Sequence, residues 1–141
     1  DAEEERNVKN SPPKIQTGRI LLAEDNELNQ EIAVEILGDA GFTTEVAENG
    51  QAAVDMLSQS QPSYYQLILM DVQMPVMNGY EAVRVIRNLE NKELASIPIL
   101  AMTANAFEED KQKAINCGMN GHIAKPIDID NLIATLNEVL A

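Results

Sequence analysis

The feature that most restricts the fold of this 141-residue chain is a series of short apolar runs set between amphipathic stretches. The runs are Ile20-Leu21-Leu22-Ala23, Phe42 to Ala47, Leu67-Ile68-Leu69-Met70, Ile97 to Met102 (interrupted by Pro98) and His122-Ile123-Ala124. Runs of roughly four to six residues, continuous rather than alternating, read as strands covered on both faces, the habit of parallel sheets. Between them helical spacing takes over. Leu28, Ile32, Ile36 and Leu37 form one stripe, closed by Gly41 after Ala40; Ala53, Val54 and Leu57 form a second; Ala82, Val83, Ile86 and Leu89 form a third. Residues 107–116 predict a fourth, mostly polar helix with a thin apolar edge at Ala114 and Ile115. Residues 129–140 predict a fifth, carrying Leu132, Ile133, Leu136, Val139 and Leu140, with Asp128 as its N-cap. Five strands alternating with five helices predict an α/β fold: a doubly wound five-stranded parallel sheet in three α/β/α layers.

Composition narrows the function. The chain carries 10 Lys and Arg against 23 Asp and Glu, a net charge of −13, so direct binding to nucleic acid or an anionic membrane is not expected. No apolar run approaches the ~20 residues of a membrane span. One cysteine, Cys117, excludes an internal disulfide and a cysteine zinc cluster, and agrees with a cytoplasmic setting. One histidine, His122, leaves little room for zinc enzymes or a Ser-His-Asp triad. Residues 1–18, with Glu3-Glu4-Glu5 and Ser11-Pro12-Pro13 but few aliphatic side chains, read as a linker or disordered tail, and 19–141 as the folded domain. A chain that opens on Asp1 rather than Met is expected to be a piece of something longer.

In open α/β sheets ligands meet the carboxyl ends of the strands. There the sequence places Glu24-Asp25 after the first run, Asp71 after the third, Thr103-Ala104 after the fourth and Lys125-Pro126 after the fifth. Two carboxylates about 4 Å apart repel by roughly 1 kcal/mol in water, and by about 4 kcal/mol at the effective dielectric of a protein surface. A hard divalent cation answers that repulsion, and oxygen donors with open positions suit Mg²⁺. Lys125 supplies a second cation, so Asp71 is placed to attack a phosphoryl group whose charge is neutralised on every side. Taken singly, each residue is most often an ordinary helix cap. Their combination at four strand ends points to chemistry.

These residues are recognisable as a set. Ile20-Leu21-Leu22-Ala23-Glu24-Asp25-Asn26, Leu69-Met70-Asp71-Val72-Gln73-Met74-Pro75-Val76-Met77-Asn78-Gly79, Ala101-Met102-Thr103-Ala104 and Lys125-Pro126 resemble the receiver domain of two-component response regulators over residues 19–141. The resemblance implies a flavodoxin-like (βα)5 receiver fold that catalyses its own phosphotransfer and is not a stand-alone turnover enzyme. It implies Asp71 as the acceptor of a phosphoryl group from a phosphohistidine. It implies Mg²⁺ on Glu24, Asp25, Asp71 and the backbone carbonyl of Gln73, with Asp25 the more direct ligand of the acidic pair. Thr103, helped by the N–H of Ala104, resembles the hydroxyl that turns toward the phosphoryl oxygen, and Lys125 the phosphate-pairing lysine. The switch partner of Thr103 is usually aromatic and here is His122.

The phrase Glu24-Asp25-Asn26-Glu27-Leu28-Asn29-Gln30 is similar to receivers fused to hybrid sensor histidine kinases, which would make the parent chain a sensor kinase with this domain on its cytoplasmic side. The implied partners are a histidine kinase or histidine phosphotransfer protein, and a homodimer through the last two of the five helices. A stand-alone response regulator is the alternative. A haloacid-dehalogenase-type aspartyl-phosphate phosphatase would share the Asp, Thr, Lys and Mg²⁺ but needs a second Asp where Gln73 stands. A flavodoxin-like flavin carrier would meet repulsion between Glu24-Asp25 and its phosphate. A receiver that binds partners without phosphorylation would not need the complete residue set.

Overall fold

The computed structural model describes residues 18–103, 108–124 and 128–140. The five strands are β1 (Gly18–Ala23), β2 (Phe42–Ala47), β3 (Leu67–Asp71), β4 (Ile99–Thr103) and β5 (Gly121–Ala124), all parallel in the order β2-β1-β3-β4-β5. The helices are α1 (Glu27–Asp39), α2 (Gly50–Ser58), α3 (Gly79–Arg87), α4 (Lys92–Ala95), α5 (Glu108–Cys117) and α6 (Ile129–Leu140). The strand order reverses between β1 and β3, so the crevice beside their carboxyl ends is the topological switch point of the sheet.

The strands carry the two cores on opposite faces. Leu21, Ile68, Met70, Ile99 and Ala101 pack with α2, α3 and the buried Ala114 of α5; Ile20, Leu22, Leu67, Leu69, Leu100 and Met102 pack with α1 and α6. Every residue of β3 and β4 is buried, as continuous apolar runs require.

Four particulars depart from the sequence pattern. A sixth helix, α4, occupies a single four-residue turn capped by Asn91, too short to show any periodicity. β4 starts at Ile99, because Pro98 has no N–H to give to a ladder; its carbonyl accepts from Ile68 N at 3.0 Å. α1 is rotated from the stripe its aliphatic residues suggest: the small Ala33, with Leu37, meets the sheet, while Leu28 stays 64% and Ile32 43% exposed. On the described part of α5 the apolar edge is Ala114 with the partly buried Cys117, while Ile115 is exposed; Met119, beyond the helix, supplies the bulk. Among the described residues no helix is long and apolar enough to cross a membrane.

Candidate functional site

β1 runs out at Ala23 and hands Glu24 and Asp25 to the carboxyl edge of the sheet. Glu24 is only 2% exposed, and its backbone is fixed from two sides: its N–H donates to Ala47 O at 3.0 Å and its carbonyl accepts from Gln30 Nε2 at 2.7 Å. The side chain is held as well, since Glu24 Oε2 accepts from Asn26 N at 3.1 Å. Asn26 caps α1 by accepting from Asn29 N, so one short turn both starts the helix and aims the carboxylate.

Asp71 closes β3 and is 4% exposed. Its Oδ1 accepts from Gln73 N at 3.1 Å, which sets the carboxylate's direction. The loop that follows is tied back into the fold: Gly79 N donates to Val72 O at 3.2 Å, and Gly50 N donates to Met77 O at 2.9 Å. Gly79 is required here, because a Cβ would lie 2.4 Å from Asp71 O. Asn78 and Glu81 then form a reciprocal capping box that starts α3.

Carboxylate oxygens of Glu24, Asp25 and Asp71 all lie within 4.8 Å of one another. Two are buried and the third is exposed, so the group is open to solvent on one side. A hard cation fits this set: the donors are all oxygen, they are anionic, and they are close enough to share one ion.

Thr103 ends β4, buried, in register with Ala124 on β5. His122 is half-buried and pairs with Ala101, two residues before Thr103 on β4, so Thr103 and His122 stand on the same face of the sheet in successive rows. The structure thus brings Glu24, Asp25, Asp71 and Thr103 to one edge, with Gln73 in the loop beside Asp71. Ala104 and Lys125 lie outside the described residues. Sequence reasoning did not single out Asn26, Gln30 or Gly50 as supports of the site. Only Asn26 carries a readable signal, an Asn directly before a helix.

A doubly wound sheet with an acidic trio at its switch point defines a domain that presents a buried strand-end carboxylate beside two further carboxylates at the sheet's crevice. The family model of the response regulator receiver domain matches residues 20–137, and the chain belongs to that family. It is 38% identical over 121 residues to hybrid signal transduction histidine kinase I and 41% identical over 124 residues to hybrid signal transduction histidine kinase B, both of Dictyostelium discoideum. These alignments cover 84% and 82% of this chain but 7% and 6% of the relatives, so the chain spans a small fraction of their length.

Among solved structures, the receiver domain of a Pseudomonas aeruginosa sensor histidine kinase, with magnesium coordinated in its active-site cleft, is 35% identical with a TM-score of 0.78, over 88% of this chain and 98% of that one. The receiver domain of a Saccharomyces cerevisiae response regulator, crystallised with a histidine phosphotransfer protein, is 32% identical with a TM-score of 0.80, over 89% of this chain and 90% of that one.

Proposed function

We propose that this receiver domain accepts one phosphoryl group from a phosphohistidine onto Asp71 and uses the phosphorylated state to change partner binding. The observation that carries the reading is the pair of buried carboxylates, Glu24 and Asp71, delivered by neighbouring strands to the switch point and joined there by Asp25. In the transfer an oxygen of Asp71 forms the new bond to phosphorus while the bond from phosphorus to the donor imidazole nitrogen breaks, and the departing nitrogen keeps the electron pair. Glu24, Asp25, Asp71 and the carbonyl of Gln73 would hold Mg²⁺, which when bound supplies positive charge against the phosphoryl oxygens. The Gln73 N–H holds one oxygen of the Asp71 carboxylate, and the buried surroundings of the strand end limit the movement of the attacking group. Thr103, with the N–H of Ala104, would donate to a phosphoryl oxygen and Lys125 would pair with another. Inward movement of His122 beside Thr103 would then report the change.

The relatives and the yeast complex support a histidine kinase or histidine phosphotransfer protein as partner, and a hybrid histidine kinase as parent chain. In that setting the linker ends one residue short of the 1–18 read from the sequence, because Gly18 already pairs with Phe42 in β1; the receiver unit follows on the cytoplasmic side, and α5 with α6 is the face for a second copy.

Incubation with acetyl phosphate and Mg²⁺ tests the reading by intact mass. The wild type should gain one phosphoryl group and Asp71→Asn none; equal gains in both would sink the assignment.

A further inference from the structure

Arg87 closes α3 at the end away from Asp71, and its guanidinium reaches three other parts of the chain at once. Nε and Nη2 donate to Gly118 O at 2.9 and 2.7 Å, and Nη1 donates to both Ala95 O and Ile97 O at 2.7 Å. Nη2 also donates to Asn120 Oδ1 at 3.0 Å, an oxygen that accepts from Ile99 N at 2.9 Å, while Asn120 N donates to Ile99 O at 2.7 Å. These acceptors mark four element ends. Ala95 finishes α4, Ile97 leads into β4 and Asn120 leads into β5. Gly118 terminates α5 in a Schellman turn, with Met119 N donating to Ala114 O and Gly118 N to Ile115 O. Gly118 sits at φ +112, and a Cβ there would lie 3.1 Å from Arg87 Cγ, so glycine serves both the turn and the approach of the arginine.

We propose that Arg87 is the fixed point of the receiver switch: a positioning residue that holds the entrances of β4 and β5 and the C-terminal end of α5, confining the response to phosphorylation to their far ends. This rests on the phosphoacceptor reading above. β4 runs from Ile99, held by Asn120, to Thr103 at its exit, about 13 Å at 3.3 Å per residue. β5 runs alongside it past His122. A pull on Thr103 becomes a defined change only if the other end of the same strand stays put; with both ends loose, the strand pair and α5 shift together and the change is spread thin. Only an arginine serves, because four acceptors in different directions need a planar fork with several donors, and a lysine offers a point charge on a flexible stem.

The test compares wild type, Arg87→Lys and Asn120→Ala by amide NMR, with and without beryllofluoride and Mg²⁺, alongside phosphoryl uptake from acetyl phosphate. Uptake should persist in both variants. In wild type the beryllofluoride shifts should concentrate at Thr103, His122 and Ile123 and spare Gly118 to Gly121. In Arg87→Lys the shift at His122 should fall to about half or less and new shifts should appear at Gly118 to Gly121. Asn120→Ala, which keeps the three carbonyl contacts, should fall between and carries the comparison if Arg87→Lys does not fold. A purely structural arginine would lower the melting temperature and leave the shift pattern as in wild type, which would overturn the proposal. A wild type that takes up phosphoryl but moves Gly118 to Gly121 would overturn it too, while a wild type that takes up none would overturn the phosphoacceptor reading with it.

Discussion

Glu24 and Asp71 leave adjacent strands, β1 and β3, and their nearly inaccessible carboxylates approach within 4.8 Å, with the exposed Asp25 completing the trio. Like charges about 4 Å apart repel by roughly 1 to 4 kcal/mol per pair, according to how much water screens them and before any compensating partner is counted. The fold tolerates the cost because the two strand ends are fixed by sheet register and by the Asn26 and Gln73 N–H groups.

That relationship predicts an inversion. In a chelator Asp71→Asn should be more stable than wild type by about 1 kcal/mol or more, since one member of a repelling pair becomes neutral. Added Mg²⁺ should stabilise wild type, by about 2.7 kcal/mol at a hundredfold excess over its Kd, and should do little for the variant. Thermal melts with and without Mg²⁺ check both arms. Equal Mg²⁺ increments would remove Asp71 from the metal site.

A second prediction concerns the start of α3, which follows the Asp71 loop. The Asn78–Glu81 box satisfies two backbone donors that the helix cannot, so Asn78→Ala should cost about 1 kcal/mol in urea unfolding. Loss of the cap also frees the segment that Gly79 and Met77 anchor, so Mg²⁺ affinity should weaken while β-sheet content holds. A variant with unchanged stability would show that the cap is redundant with the loop's other ties.

The opposite end of the sheet yields a pH prediction. Tyr64 and Tyr65 both donate to the Glu45 carboxylate at 2.6 Å, and Arg19 lies against it at 3.4 Å. The hydroxyls of Tyr64 and then Tyr65 hold the Glu45 carboxyl below its usual range, whereas burial first, and the Glu45 hydrogen bond second, push the Tyr65 phenol well above its ordinary value of 10.0. A lowered acid contributes stability that is present above about pH 4.5 and lost as pH falls further. A raised phenol contributes stability that is full below pH 10 and lost as pH rises beyond it. Tyr65→Phe should therefore cost about 1–2 kcal/mol at neutral pH and flatten the alkaline limb of a stability-against-pH curve. Parallel limbs in the two proteins would place the alkaline transition elsewhere.

Much of the fold was legible because strands buried on both faces must be written as unbroken apolar runs: Leu67 to Met70 has no other use. The placement of the candidate site residues was legible for a related reason, since topology alone carries Glu24, Asp71 and Thr103 to one edge once the runs are parallel strands. The rotation of α1 was only half legible: of the stripe Leu28, Ile32, Ile36 and Leu37, Leu37 is buried and Ile36 packs partly against the core, but the neighbouring Ala33 takes the place of Leu28 and Ile32 because the choice depends on how closely the sheet approaches. Arg87 was invisible for a stronger reason. Its acceptors are mostly backbone carbonyls, which every residue has, at separations from 8 to 33 residues.

The last prediction separates chemistry from response. Thr103 is buried at the exit of β4 on the face it shares with His122, and it is not among the carboxylates that would hold the ion. Thr103→Ala should therefore leave the Mg²⁺-dependent rise in melting temperature near that of wild type, and phosphoryl uptake on Asp71 should persist at a reduced rate. What should fail is the change that follows, because nothing remains to pull β4 toward the phosphoryl oxygens. Lys125→Ala should behave alike toward the metal, whose affinity should hold or rise once a competing cation is removed, but should slow the transfer itself, since its charge opposes that of the phosphoryl oxygens. Melts with Mg²⁺, the time course of mass gain and the beryllofluoride shift at the His122 amide give three independent readouts. A Thr103→Ala protein with a wild-type shift at His122 would disconnect the hydroxyl from the switch, and a Lys125→Ala protein with a wild-type time course would make that lysine a bystander.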